Sequence, residues 1–311
     1  MEQTDKLVIR NLILCTALGV ILSRFSIGSV LMTVPALLVC YRVRQNSIKI
    51  ASFSVMLLGV GVWTLIGNRM LLGTEYAPLI LFSMYLPFIL IVGSAVWAVS
   101  SSYSKSSMRK FFWACIPVFI AGLAFSLYFA SDASKTVRDA MVQTVLLFFP
   151  EEMLSSEMTS AVRMIVDGDV MRLIFAPAGI LLLAIPIVIS DVNLHRFDEE
   201  WQYDFANMKL PDGYVWVFFV SWIAALVCRV VKSVPVMVHT IAWSVALSMT
   251  VLYFVVGVSI LMAFMRKRTA VMTAGKVVFM VAFACFIPGI NFAVFLILPL
   301  LGVLETWVKL R

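Results

Sequence analysis

Side chains able to do chemistry are few in this 311-residue chain, and their spacing excludes more than it supports. The only histidines are His195 and His239, and no His-Glu-x-x-His occurs, so the two imidazoles on one helix face that a zinc protease needs cannot be assembled. No Gly-x-x-x-x-Gly-Lys-Ser/Thr loop is present to cradle nucleotide phosphates. The five cysteines (Cys15, Cys40, Cys115, Cys228, Cys285) all lie in apolar runs, are odd in number and form no Cys-x-x-Cys, which argues against a disulfide framework or a metal site. His239 reads as a core histidine hydrogen-bonded across helices and His195 as solvated in a polar loop. These residues name no nucleophile with its base, no metal ligand set and no cofactor motif, so the expectation is a protein that is not an enzyme.

Two acidic motifs carry little. Glu151-Glu152 is like the paired glutamates of prenyl-processing membrane proteases, but Ser156 stands where that pattern needs arginine. Asp167-Gly168-Asp169 lacks the first glycine of the Gly-x-Gly-Asp signature of intramembrane aspartyl proteases. Both read as solvated surface. Charges bordering apolar runs are the better guide, because an ionised group in lipid costs several kcal/mol unless it is paired or faces a cavity. Arg24, Arg69, Glu75, Asp191, Arg229, Lys232, Lys276 and Glu305 are such charges, and each taken singly can snorkel to the interface. Two places rank first: Arg69 with Glu75, and Glu305 near the interruption Pro288-Gly289-x-Asn291. A broken helix leaves carbonyls and amides unpaired, which is how membrane proteins build solute or ion sites at mid-depth. Arg69, Glu75, Asn291, Glu305, Trp307 and Arg311 are therefore the candidate polar core or ligand site.

The elements that must position these residues are membrane helices. With 62% hydrophobic and 13% charged residues the chain far exceeds the apolar content of a soluble domain, about 45 to 50%. Ser233 to Met265 holds no Asp, Glu, Lys or Arg and ends at Arg266-Lys267-Arg268. It is long enough to span the roughly 30 Å hydrocarbon core, and the basic triplet marks a cytoplasmic end. The +7 formal charge belongs to such flanks rather than to nucleic-acid binding. Continuous apolar runs exclude a β-barrel, whose strands alternate.

Crossings are expected at Leu7 to Ser23, Ser26 to Tyr41, Ile50 to Gly67, Tyr76 to Ser100, Phe111 to Ala130, Leu173 to Ser190 (kinked near Pro177 and Pro186), Gly213 to Cys228 and Ser233 to Met265. Val277 to Leu304 forms either one kinked span or a hairpin of two half-spans that returns Lys309 and Arg311 to the cytoplasm. The first run resembles a signal peptide without a cleavage site and reads as an uncleaved span. The fold class is thus all-α, a polytopic membrane protein of 8 to 10 transmembrane helices with a cytoplasmic N-terminus. It forms one integral domain: a first helical group over 7–130, an extracytoplasmic segment over 131–172 and a second group over 173–311. In the middle segment Met141 to Phe149 is too short to span and ends at Pro150. Ser156 can cap a helix with Val162, Ile165 and Val166 on one face, so short amphipathic helices lie between the fifth and sixth crossings. Asp191 to Asp212 reads as a second acidic loop.

Leu210-Pro211 entering a span with Trp216, the long span ending near Gly257, and Leu301-Gly302-x-x-Glu305-x-Trp307-x-x-x-Arg311 together resemble the YybS-like family of bacterial multi-pass membrane proteins. The resemblance implies a bacterial inner membrane and a layout distantly similar to the substrate-capture subunits of energy-coupling-factor transporters. Glu305 stands where that family usually has Asp, and Val256 where Gln commonly precedes the glycine. The first span lacks the Ala-x-x-x-Ala pattern by which capture subunits dock their coupling partner. The expected function is binding of a small solute or ion, transporter-like. The alternative is a structural or assembly protein of the cell envelope. Expected partners are the lipid bilayer, a small-molecule or ion ligand and a membrane protein, with no nucleic acid.

Overall fold

The computed structural model describes residues 2–74, 77–100, 107–147, 149, 156–231, 233–269 and 272–310, and their side chains except at 2–6, 26 and 169. Described residues are all-α. Six helices are long and apolar enough to cross a membrane: α4 (Asn46–Gly67), α5 (Pro78–Ser100), α6 (Ser107–Phe129), α9 (Asp169–Leu194), α12 (Val236–Arg268) and α14 (Ile290–Val308). Shorter apolar helices accompany them: α1 (Glu2–Leu22), α2 (Ser26–Leu31), α3 (Val34–Cys40), α11 (Tyr214–Val230) and α13 (Ala274–Phe286). This is a multi-pass membrane protein whose helices contact the lipid bilayer. Outward-facing apolar residues such as Leu58, Ile66 and Val220 are more than half exposed, as lipid contact requires.

Helix ends sort into two groups. At one end Tyr41 meets Asp191, the Lys49 ammonium donates to the Ala98 carbonyl, and the Phe112 ring packs edge-on against Tyr214. The ends of α3, α5 and α9 therefore lie beside the starts of α4, α6 and α11. At the other end Arg24, just past α1, covers Trp63 of α4, and Phe129 packs on Phe175 of α9. The chain alternates direction from α1 through α12. An aromatic cluster of Phe82, Tyr85, Phe125, Phe129 and Phe175 joins α5, α6 and α9, and the buried Tyr85 hydroxyl donates to the Phe175 carbonyl at 2.7 Å.

Where helices touch most closely the residues are small. Gly122 lies against the Ala176 backbone, Gly257 against Leu298 and Gly302 against Tyr253. A side chain at any of these would push two backbones apart. Ser94 donates to Thr33 at 3.0 Å, satisfying two buried hydroxyls between α5 and the α2–α3 turn.

Several expectations are corrected. The apolar run expected over Ser26 to Tyr41 is present as a stretch over Ile27–Cys40 bent at Met32 and Thr33, where Pro35, which lacks a donor, sits in the first turn of α3. Val277 to Leu304 is two helices: Gly289 takes φ +86°, open to glycine at no cost, and breaks the run between α13 and α14. The pairing of Leu298 with Gly257 and of Gly302 with Tyr253 makes α14 antiparallel to α12. The division of this run into two shorter helices is one of the two arrangements expected, and the 13 residues of α13 reach about 20 Å, less than the hydrocarbon thickness. Pro177 and Pro186 lie inside α9, which continues through both.

The segment over 131–172 forms α7 (Lys135–Leu146) and α8 (Ser156–Asp167), packed through Val142, Leu146, Val162 and Val166. Ile165, expected on that face, is 58% exposed; Ser156 is helical, and the residues just before it lie outside those described. Arg138 fastens this layer to α6: its guanidinium donates to the Phe129 carbonyl at 2.8 Å and pairs with Asp167 at 3.2 Å. The acidic loop expected over Asp191 to Asp212 instead contains α10 (Glu199–Ala206).

Replacing Gly257 by Ala is expected to destabilise the purified protein by about 1–3 kcal/mol, because the new methyl overlaps the Leu298 backbone. Gly213 has nothing within 4 Å and a helical φ, so Gly213→Ala should leave the melting temperature unchanged. Equal melting temperatures for the two variants would refute the α12–α14 contact.

Candidate functional site

The end of the bundle that gathers α3, α4, α6, α9 and α10 holds a cavity of about 440 Å3. Tyr41 and Arg44 come from the turn after α3, Lys49 from the first turn of α4, Lys110 from the first turn of α6, and Asp191 from the last turn of α9. His195 ends α9, while Trp201 and Asp204 belong to α10.

Asp191 is 5% exposed and accepts from the Tyr41 hydroxyl, which itself accepts from the Trp97 indole N–H at 3.2 Å. Trp97, Tyr41 and Asp191 thus form a directed chain of donors ending on a buried carboxylate, tying α5, α3 and α9 together. Lys49 is 3% exposed, and besides the Ala98 carbonyl, 3.0 Å from its Nζ, it faces the cavity. The Lys110 ammonium lies 5.8 Å from the centre of the Trp97 ring. Both lysines sit in the first described turns of their helices, where the backbone carries partial positive charge, so an anion beside them is favoured. With Arg44 they outnumber the two carboxylates, Asp191 and Asp204.

Aromatic rings form the remaining wall. His195 stacks on Trp201 with ring centres 5.4 Å apart and 12° between planes, and meets the Tyr41 ring edge-on. Its Nδ1 donates to Asp198 at 3.1 Å, and Asp198 Oδ1 accepts from the Trp201 backbone N–H as the N-cap of α10. That N–H, with the imidazole beside it, holds the Asp198 carboxyl below the usual carboxylate range. Gln202 accepts from the Ala274 backbone N–H at 2.7 Å, capping α13, so α10 links the cavity wall to the α12–α14 unit.

The candidate residues named from sequence do not converge here. Arg69 is exposed in a one-turn helix at the opposite end of the bundle, and Glu75, its intended partner, lies outside the described residues, as do Pro150, Glu151, Glu152 and Arg311. Asn291 lies in the first turn of α14, its Oδ1 accepting from the backbone N–H of Gly289 at 3.2 Å and of Phe292 at 2.7 Å. Most of α14 separates it from Glu305, which accepts from the Leu310 backbone at 2.8 Å. Trp307 is 54% exposed and packs on Phe219. Gly257 and Gly302 lie at the α12–α14 crossing, and Gly302 and Glu305 line a recess of about 340 Å3 with Tyr253 and Lys209.

No family model, curated protein or solved structure matches this chain.

Sequence reasoning missed Tyr41, Trp97, Lys49 and Lys110, which it placed at span ends without joining them. A signal existed for α10: Asp198 followed by Glu199 and Glu200 is an N-cap with two acids in the first turn.

Replacing Tyr41 by Phe strips Asp191 and the Trp97 indole of their shared partner and should cost about 1–3 kcal/mol of stability by thermal unfolding. A wild-type melting temperature for Tyr41→Phe would show that the chain of donors contributes nothing.

Proposed function

We propose that this is a non-enzymatic bacterial inner-membrane protein, N-terminus cytoplasmic, that binds a small anionic solute in the cavity between Lys49, Lys110 and Arg44, as a transporter-like or capture subunit. The observation that carries the reading is the excess of cations around this cavity, one of them the buried Lys49, at the N-termini of α4 and α6. Such an arrangement favours a carboxylate or phosphate group, with Asp191 and Tyr41 offering partners for a polar substituent. Stacked His195 and Trp201 suit a planar portion of the solute. The basic residues at this end (Arg42, Arg44, Lys49, Arg109, Lys110) support a cytoplasmic position for it by the charge rule. The YybS-like motif around Gly257, Gly302 and Glu305 supports the bacterial assignment.

Purified protein should be stabilised by one or more anionic members of a panel of carboxylates, phosphates and vitamins, reaching about 2.7 kcal/mol when the ligand is about 100-fold above its Kd. Lys49→Met, which keeps the stem and removes the charge, should abolish the response. A panel without any stabilising anion would reject the reading, as would stabilisation that Lys49→Met retains.

A further inference from the structure

On the outer side of the same turn of α6 lies a larger recess of about 790 Å3, between α6 and the segment leading into α11, lined by Met108, Arg109, Phe112, Trp113, Lys209 and Tyr214. Arg109 and Lys209 are both exposed, with Asp212 as the one acid lining the recess. Phe112 and Tyr214 meet edge to face at 5.0 Å, and Trp113, 54% exposed, completes the aromatic wall on α6.

We propose that this recess is a binding site for an anionic phospholipid, its phosphate between Arg109 and Lys209 and its acyl chains along Phe112, Trp113 and Tyr214. Amphipathic rings of Trp and Tyr sit at the depth of lipid headgroups, and basic pockets between helices at that depth select anionic headgroups by charge. A zwitterionic phosphatidylcholine offers no net charge to match the two cations against one acid. A free soluble anion satisfies the rim but leaves the indole and phenyl walls without the hydrocarbon they are shaped to meet. The site shares no residue with the solute cavity, so either can fail alone.

Native mass spectrometry of the full chain in detergent, titrated with dioleoyl-phosphatidylglycerol or dioleoyl-phosphatidylcholine, tests it. Preferential retention of phosphatidylglycerol is expected. Near a membrane surface one basic side chain contributes about fivefold, so neutralising both by Arg109→Gln with Lys209→Gln should weaken retention about thirtyfold. Arg109→Lys with Lys209→Arg should keep it, which separates charge from folding, and Arg69→Gln at the far end should have no effect. Retention should fall as salt rises and should withstand inorganic phosphate. Equal retention of the two lipids, salt-independent binding, full displacement by inorganic phosphate, or unchanged binding by the doubly neutralised chain would each overturn the assignment.

Discussion

Lipid offers no hydrogen bonds, and most of this architecture follows from that. A backbone amide or carbonyl exposed to hydrocarbon costs several kcal/mol, so the chain crosses as helices whose polar groups are satisfied internally. At the break over Ile287–Gly289 the Asn291 side chain accepts from the amides of Gly289 and Phe292, and beside the bend at Met32–Thr33 the Thr33 hydroxyl is joined to Ser94 of α5.

The same constraint explains why polar groups gather where they do. Asp191 and Lys49 lie at helix ends, where they can be buried by neighbouring side chains while still reaching partners on other helices. Tyr41 serves two of them, accepting from Trp97 and donating to Asp191, so its loss would orphan both. Because α3, α5 and α9 each contribute one member, their relative placement is set by hydrogen bonds as well as by packing. The stack of His195 on Trp201 then fixes α10 over the cavity, and Gln202 carries that wall to α13.

Close approach at small residues does the complementary work in the apolar interior. Without a hydrophobic drive between helices in lipid, association rests on van der Waals contact, which glycine maximises. Gly257 and Gly302 allow α12 and α14 to touch backbone to backbone in antiparallel order, and Gly122 does the same for α6 against α9. The extramembrane pair α7–α8 is held differently, through a small apolar patch and the Arg138 clamp on the last carbonyls of α6.

The amino-acid sequence by itself determined the solvent: runs of apolar residues too long for a soluble core specify helices in lipid, and α4, α5, α6, α9 and α12 were legible to within a few residues because hydropathy is a local property. Amphipathic helices between α6 and α9 were legible for the same reason, through the period of Val162 and Val166. Tertiary structure alone decided which helix ends are neighbours. Tyr41 and Asp191 are 150 residues apart, and no local pattern says that the turn after α3 will face the last turn of α9. The direction of α14 was hidden likewise, since it depends on which backbone lies beside Gly257 and Gly302. Solvation is read one residue at a time, whereas a site depends on pairs of distant residues whose meeting is fixed by the packing of every helix between them.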